Sequence, residues 1–150
     1  MSQNYTFIDL FAGAGGLSEG FERAGYTPVA HIEMDKAACD TLRTRAAFHY
    51  LDRHGQLGLY EEYLVNKPNV KREDLWGKVP KNVTDTVIQS EIKNETLDGI
   101  FSEVDRLCDG RAVDLIIGGS PCRAYSLADF AMVGGEAIWQ IPTTVCTAFM

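Results

Sequence analysis

A chain of 150 residues fits one domain of ordinary size, and 45% hydrophobic with 23% charged residues is a composition that can bury a core, which argues against disorder. The net charge of −7 provides no basic footprint, so any contact with nucleic acid has to rest on few or clustered Lys and Arg. The four cysteines, Cys39, Cys108, Cys122 and Cys146, form no C-x-x-C pair and have no His at zinc-ligand spacing. Nothing resembles a signal peptide and no apolar run approaches the roughly 20 residues needed to span a bilayer. A cytoplasmic protein without a metal or a membrane is expected.

In chain order, residues 5–11 form a short apolar run and Gly13–Gly16 a turn. Leu17, Gly20, Phe21 and Ala24 recur at helical spacing until Gly25 stops the helix. Residues 28–33 read as a second strand, and Lys36 to about Tyr50 as a helix with Ala37, Ala38, Leu42 and Ala46 on its inward stripe. A β-α-β unit followed by another helix predicts an α/β fold with a doubly wound, mostly parallel sheet. The polar stretch at about 51–82, broken by Gly55, Gly58, Pro68, Gly77 and Pro80, is expected to be a surface insertion.

Residues 83–92 are compatible with helix or strand, and a helix leading into a very short strand that ends near Glu91-Ile92 is the reading adopted. Asn94 is the expected N-cap of a helix carrying Leu97, Ile100, Phe101, Val104 and Leu107, with Gly110 as its stop. Val113–Ile117 lacks alternation, as a strand buried inside a parallel sheet does. Residues 128–150 carry no assignable pattern.

Two turns carry the chemistry. Gly13, Gly15 and Gly16 follow the first strand, where residues without a Cβ let the backbone approach a ligand or take positive φ, although Ser18 stands where the dinucleotide fingerprint has its third glycine. Such glycines also serve plain tight turns. Glu33 closes the second strand twenty residues after Gly13, either as an acceptor for both hydroxyls of a ribose or as a solvated strand-end carboxylate. Asp9 either orients the loop amides or caps the strand end, and Phe11 is a core residue or a cofactor platform. At the far end of the chain, Gly118-Gly119-Ser120-Pro121-Cys122 places a thiol at the carboxyl end of a strand, the crevice where open α/β sheets bind ligands. Pro121 has no amide to donate and stiffens that turn.

Three ordered segments, Asp9-Leu10-Phe11-Ala12-Gly13-Ala14-Gly15-Gly16-Leu17, Glu33-Met34-Asp35, and Gly119-Ser120-Pro121-Cys122 with Ala124-Tyr125-Ser126, resemble the cytosine-C5 DNA methyltransferase family. The resemblance covers residues 5–127 and implies a Rossmann-like, S-adenosylmethionine-dependent methyltransferase fold, here incomplete. It implies cofactor contacts at Phe11, Gly13, Gly15, Gly16 and Leu17, ribose binding at Glu33, adenine binding at Met34, and an acidic-apolar adenine pair at Glu91-Ile92. It makes Cys122 the nucleophile that adds to carbon 6 of a flipped-out cytosine, with Pro121, Arg123 and Ser126 in the substrate loop. Cys39 and Cys108, set in helical stripes, read as core.

The chain departs from the family at Ser120 and Arg123, where proline and glutamine are usual. The resemblance ends after Leu127, and the family's Glu-Asn-Val segment, arginine segment, target-recognition domain and closing helix have no counterpart here. Glu136 is no substitute for the missing acid. Residues 1–127 are therefore expected to be the N-terminal part of a catalytic domain, weak or inactive alone, with Val113–Ile117 as an exposed edge. Double-stranded DNA is the expected substrate of the complete enzyme, and a second chain supplying the C-terminal half is a candidate partner. The alternatives are a relative that methylates cytosine in tRNA and a non-catalytic cofactor-binding fragment.

Overall fold

The computed structural model describes residues 5–66 and 69–119. Four strands, β1 (Thr6–Leu10), β2 (Thr27–Glu33), β3 (Val87–Gln89) and β4 (Leu115–Gly118), form one all-parallel sheet in the order β3-β2-β1-β4. Six helices connect them: α1 (Gly16–Arg23), α2 (Lys36–Arg53), α3 (Leu57–Val65), α4 (Arg72–Trp76), α5 (Lys81–Thr84) and α6 (Leu97–Cys108). The α/β sheet with helical crossovers expected from the sequence is present.

The chain first winds outward, from β1 through α1 to β2 and then to β3, and α6 carries it back to β4 on the other side of β1. The order of strands thus reverses between β1 and β4, and such a reversal opens a crevice at the carboxyl ends of the two strands. Both chemically distinctive turns leave from those two ends.

Because successive strand residues point to opposite faces, the two sides of the sheet differ. Ile8, Ala30 and Ile32 are buried with Ile100 and Val104 of α6 in one apolar cluster. On the other face Phe7 packs against Phe21 of α1, with ring centroids 5.6 Å apart, and Asp9 and His31 lie buried beside it. Fully burying residues the size of Ile8 or Ile32 contributes about 1.5–3 kcal/mol each, so the α6 face supplies much of the cohesion. A further apolar cluster joins Ala47 and Leu51 of α2 to Leu75 and Val79, with Leu59, Tyr60 and Tyr63 of α3 packed against it.

Several boundaries and faces differ from the expectation. In α1 the stripe Leu17, Gly20, Phe21 and Ala24 does not face inward; Leu17, Gly20 and Ala24 are exposed, Phe21 is half-buried, and the one buried residue is Ser18. In α2, which Asp35 caps by accepting from the Ala38 N–H at 2.7 Å, the buried residues are Cys39, Asp40, Leu42, Ala47 and Leu51, whereas Ala38 and Ala46 are half-buried and Ala37 is exposed. The strand expected to end near Glu91-Ile92 ends at Gln89, preceded by the short helix α5. Asn94 opens a single 3-10 turn rather than capping α6, which begins at Leu97. α6 stops through Asp109 and Gly110, both at positive φ (49° and 75°). Cys39 is fully buried and Cys108 half-buried against the α6 cluster, as read from their stripes.

β1 and β4 are pinned at both ends. At the amino end the Thr6 N–H donates to the Asp114 carboxylate at 2.7 Å and the Thr6 hydroxyl to the Ala112 carbonyl at 3.0 Å. At the carboxyl end Leu10 and Gly118 are in register. β4 is paired on one side only among the described residues, as an edge strand is.

Candidate functional site

The glycine turn begins where β1 ends. Phe11 (φ 56°), Gly13 (φ 54°) and Gly15 (φ 82°) all occupy the left-handed region, so the backbone reverses within five residues and delivers the chain into α1. At Gly15 that conformation combines with crowding, since a Cβ would stand 2.8 Å from Leu42 Cδ2. At Gly13 the surroundings are open among the described residues, with none of their atoms within 4 Å of an added Cβ. Gly13 therefore exposes bare backbone toward a space another molecule can enter, while Gly15 is needed for packing. Phe11 is a bulky residue held at positive φ, a conformation that costs of order 1–3 kcal/mol and clusters at ligand-binding sites.

Glu33 organises the rim of this space. Its Oε2 accepts the Gly13 N–H at 2.8 Å, and its Oε1 accepts the Met34 and Asp35 N–H groups at 2.9 and 2.8 Å. The end of β2 and the glycine turn are thereby tied through one carboxylate. A second tie runs from the Ala12 N–H to the Ile32 carbonyl at 3.1 Å. A carboxylate offers about four acceptor directions, so three backbone donors leave Glu33 room for a further hydroxyl.

Two apolar side chains stand exposed at this carboxyl end of the sheet, Leu17 at 47% and Met34 at 64% exposure. Single exposed apolar residues are ordinary, but these two flank, in sequence, the turn and the carboxylate that face the open space. Gly16 opens α1. Glu91 is exposed and ion-paired to Lys93 at 2.9 Å, one residue after Ser90, whose N–H donates to the Glu33 carbonyl at 2.9 Å, and Ile92 packs against the α6 cluster. Pro121, Cys122, Arg123 and Ser126 lie outside the described residues. Among the described residues no group of three His, Cys, Asp or Glu could hold a metal ion, and no helix is long and apolar enough to cross a membrane.

Beneath the turn lies a polar cluster that the sequence reading did not assemble. Ser18 Oγ donates to Asp9 Oδ2 and stands 3.1 Å from His31 Nδ1, and all three residues are buried. Burial pushes the Asp9 carboxyl up, aided by the Glu33 charge and opposed by the Ser18 hydrogen bond. Burial, with the Arg45 charge nearby, lowers His31 to about 4, so its ring is neutral near pH 7. A neutral ring can donate from Nδ1 to the Ser18 oxygen, completing a chain from His31 through Ser18 to Asp9. Among the described residues Asp9 Oδ1 has no partner. The signal was present in the sequence as polar residues inside two apolar strands, but only the register Asp9 opposite His31 makes them neighbours.

The residues can accommodate the ligand that the turn and carboxylate call for: open backbone at Gly13, an acceptor at Glu33 and apolar surface at Leu17 and Met34 make a set of donors and contacts suited to an adenosine-type molecule.

Comparison with known proteins agrees with the motifs. Residues 5–55 match the model of the C-5 cytosine-specific DNA methylase family. The chain is similar to the type II methyltransferase M.Bpa9945I of Bacillus paralicheniformis, at 35% identity over 80% of this chain and 31% of that protein. It is also similar to the type II methyltransferases M.PspPI of Psychrobacter sp. (33% identity, 85% of this chain, 20% of that protein) and M1.HphI of Haemophilus parahaemolyticus (28%, 82% and 22%). The chain thus spans a third or less of the length of these relatives. No solved structure matches it significantly. Through residues 5–55 the chain is thus similar to the family of C-5 cytosine-specific DNA methylases.

Proposed function

We propose that this chain is the N-terminal part of a DNA cytosine-C5 methyltransferase, with residues 1–127 in the catalytic domain, the helices at about 51–82 inserted into it, and residues 128–150 a tail without assigned role. The observation that carries the reading is the adjacency of β1 and β4. The glycine turn and the segment leading to Cys122 leave parallel neighbouring strands at the same end, on either side of the point where strand order reverses.

S-adenosylmethionine, when bound, supplies a methyl group on a positively charged sulfur. Gly13, Gly15 and Gly16 shape the backbone that receives it, Phe11, Leu17 and Met34 offer apolar contact, Glu33 accepts from the ribose, and Glu91-Ile92 is the proposed adenine pair. Carbon 5 of cytosine is too weak a nucleophile to be methylated directly. The Cys122 thiolate therefore adds to carbon 6, which makes carbon 5 electron-rich, and later loss of the carbon-5 proton expels the thiolate. Pro121, Arg123 and Ser126 form the loop around it, and the Arg123 charge favours the thiolate form. The two reacting atoms must be brought within near-attack distance around one flipped-out base, which is why the two turns have to meet. Duplex DNA is the proposed substrate and the cytoplasm the proposed setting. The acid at cytosine N3, which alone contributes about 10²- to 10⁴-fold in rate, and the base-reading surface belong to the part of the family's catalytic domain that the resemblance does not cover, and a second chain is one candidate source of them.

Calorimetric titration of the 150-residue protein with S-adenosylhomocysteine tests the cofactor half of this reading. Saturable heat is expected; no heat, or tighter binding of a nicotinamide dinucleotide, overturns it. Transfer of a labelled methyl group to unmethylated DNA but not to RNA, abolished in Cys122→Ala, is expected when the complementing half is added.

A further inference from the structure

α1 begins at the glycine turn and is docked on the sheet in an unusual way. Its single buried residue is a serine, and that serine meets a buried aspartate and a buried histidine. Apolar residues at positions 9, 18 and 31 would avoid the cost of burying three polar side chains, and with Asp9 and His31 in place an apolar residue at 18 would leave both without this partner. The arrangement of partners supplies a reason for the hydroxyl.

Asp9 stands two residues before the turn starts at Phe11, and Ser18 two residues inside α1. The hydrogen bond between their side chains therefore spans the whole of Phe11–Gly16, joining the strand that enters the turn to the helix that leaves it. His31 ties the same hydroxyl to β2, two residues before Glu33, whose carboxylate holds the Gly13 N–H. The turn is thus held from below by Ser18 and from the β2 side by Glu33. Elsewhere α1 is fastened by ion pairs to α2, Glu19 to Arg45 and Glu22 to Arg53, both at 2.9 Å; these hold the helix body and leave the turn itself to the buried cluster.

We propose that Ser18 is a positioning residue: its hydroxyl, shared between Asp9 and His31, clasps the two ends of the glycine turn and fixes the Gly13 backbone that faces the proposed cofactor space. The ligand half of this proposal rests on the function proposed above; the mechanical half does not. A hydroxyl suits the position because it can donate to Asp9 and accept from His31 at once, which neither alanine nor a second carboxylate can do. The clasp accounts for polar residues at two buried strand positions in register, and it gives a role to the serine that stands where the dinucleotide fingerprint has its third glycine.

The test compares Ser18→Ala and Ser18→Thr in the full chain by amide hydrogen exchange and by S-adenosylhomocysteine titration. The Gly13 and Gly15 amides, bonded to Glu33 Oε2 and the Ala12 carbonyl, report the turn, and the Ile32 and Ile88 amides report the sheet. Ser18→Ala is expected to speed exchange at Gly13 and Gly15 at least tenfold with the sheet amides unchanged, and to weaken ligand binding about tenfold. Ser18→Thr, which keeps the hydroxyl, is expected to restore both. Exchange that rises uniformly through the chain, or not at all, overturns the clasp, as does a loosened turn that binds the ligand as wild type does. Loosening confined to the turn in a protein whose wild type binds no S-adenosylhomocysteine upholds the clasp and removes the cofactor reading instead. Should Ser18→Ala not fold, Ser18→Cys, similar in volume but a weak donor, takes its place with the same expected outcome.

Discussion

Gly118 lies against Leu10 so closely that a Cβ on it would stand 2.5 Å from the Leu10 carbonyl oxygen and 3.1 Å from the Leu10 Cβ. The first of those atoms is backbone in a paired strand, so it cannot swing aside. Gly118→Ala is expected to push β4 away from β1 at the end where the two turns emerge, costing on the order of 1–3 kcal/mol. Gly119→Ala is the control, because no atom of the described residues lies within 4 Å of its Cβ. Thermal unfolding should show a lower Tm for the first variant and nearly none of that loss for the second; equal melting temperatures contradict the close approach.

The two turn glycines should respond differently to the same methyl group. Gly13→Ala meets only the strain of positive φ, about 1 kcal/mol, because its surroundings are open. Gly15→Ala adds a 2.8 Å contact with Leu42, itself buried in the core, so it is expected to be the more destabilising by about another 1 kcal/mol. Ligand affinity should run the other way. A methyl at Gly13 projects into the proposed cofactor space, so S-adenosylhomocysteine binding is expected to weaken more there, and urea titrations set beside calorimetry of both variants would expose a reversed order.

Glu33 is asked to hold three backbone N–H groups. Glutamine has one oxygen, and its amide nitrogen would confront a donor with a donor. Glu33→Gln is therefore expected to lose either the Gly13 bond or the Met34 and Asp35 pair, with a cost of about 1–3 kcal/mol for donors left unmade. Ligand affinity should fall by at least tenfold, since both the ribose acceptor and the turn that it braces are affected. Unchanged stability together with unchanged affinity would show that the carboxylate braces nothing.

These relationships also mark how far the sequence could be read. The strands, the parallel sheet and the glycine turn were legible because they depend on local pattern: apolar runs of strand length, glycines at a strand exit, and Glu33 at a fixed distance beyond. The inward face of α1 was not, because its stripe of Leu17, Gly20, Phe21 and Ala24 satisfies helical spacing while the helix is turned so that Ser18 points inward. What turns it is a set of non-local partners, Asp9 and His31 beneath and Arg45, His49 and Arg53 on α2, which periodicity does not contain. Of the α2 stripe, Leu42 is buried and Ala38 and Ala46 are half-buried, so that only Ala37, in the first turn beside the Asp35 cap, is out of place. Asn94 has the chemistry of a cap but opens a 3-10 turn that postpones the helix by two residues, to Leu97. The motif residues after Gly119 rest on sequence alone.

His31 makes stability depend on pH in a direction fixed by its burial. In the unfolded chain its ring takes a proton near 6.5, whereas burial and the neighbouring Arg45 charge hold it unprotonated in the folded protein down to about 4. Between those values the unfolded state binds the extra proton, so stability is full above about pH 6.5 and is lost as pH falls toward 4, by about 3 kcal/mol if the whole shift is realised. Asp9 opposes this, since a carboxyl raised by burial lets the folded state bind a proton first. Glu19 acts lower still. Burial raises it, but hydrogen bonds from His49, Arg23 and Arg45 prevail and hold it at about 2, so its contribution fades only as pH falls below 4.5. Replacing His31 by Asn, which keeps a polar group near the Ser18 hydroxyl but does not titrate, is expected to flatten the curve between pH 6.5 and 4 and to leave the loss below 4.5 from Glu19 in place. Chemical denaturation at half-unit pH steps measures both curves, and parallel slopes for the two proteins across that window would mean that His31 is not the buried neutral base that its place between Ser18 and the sheet requires.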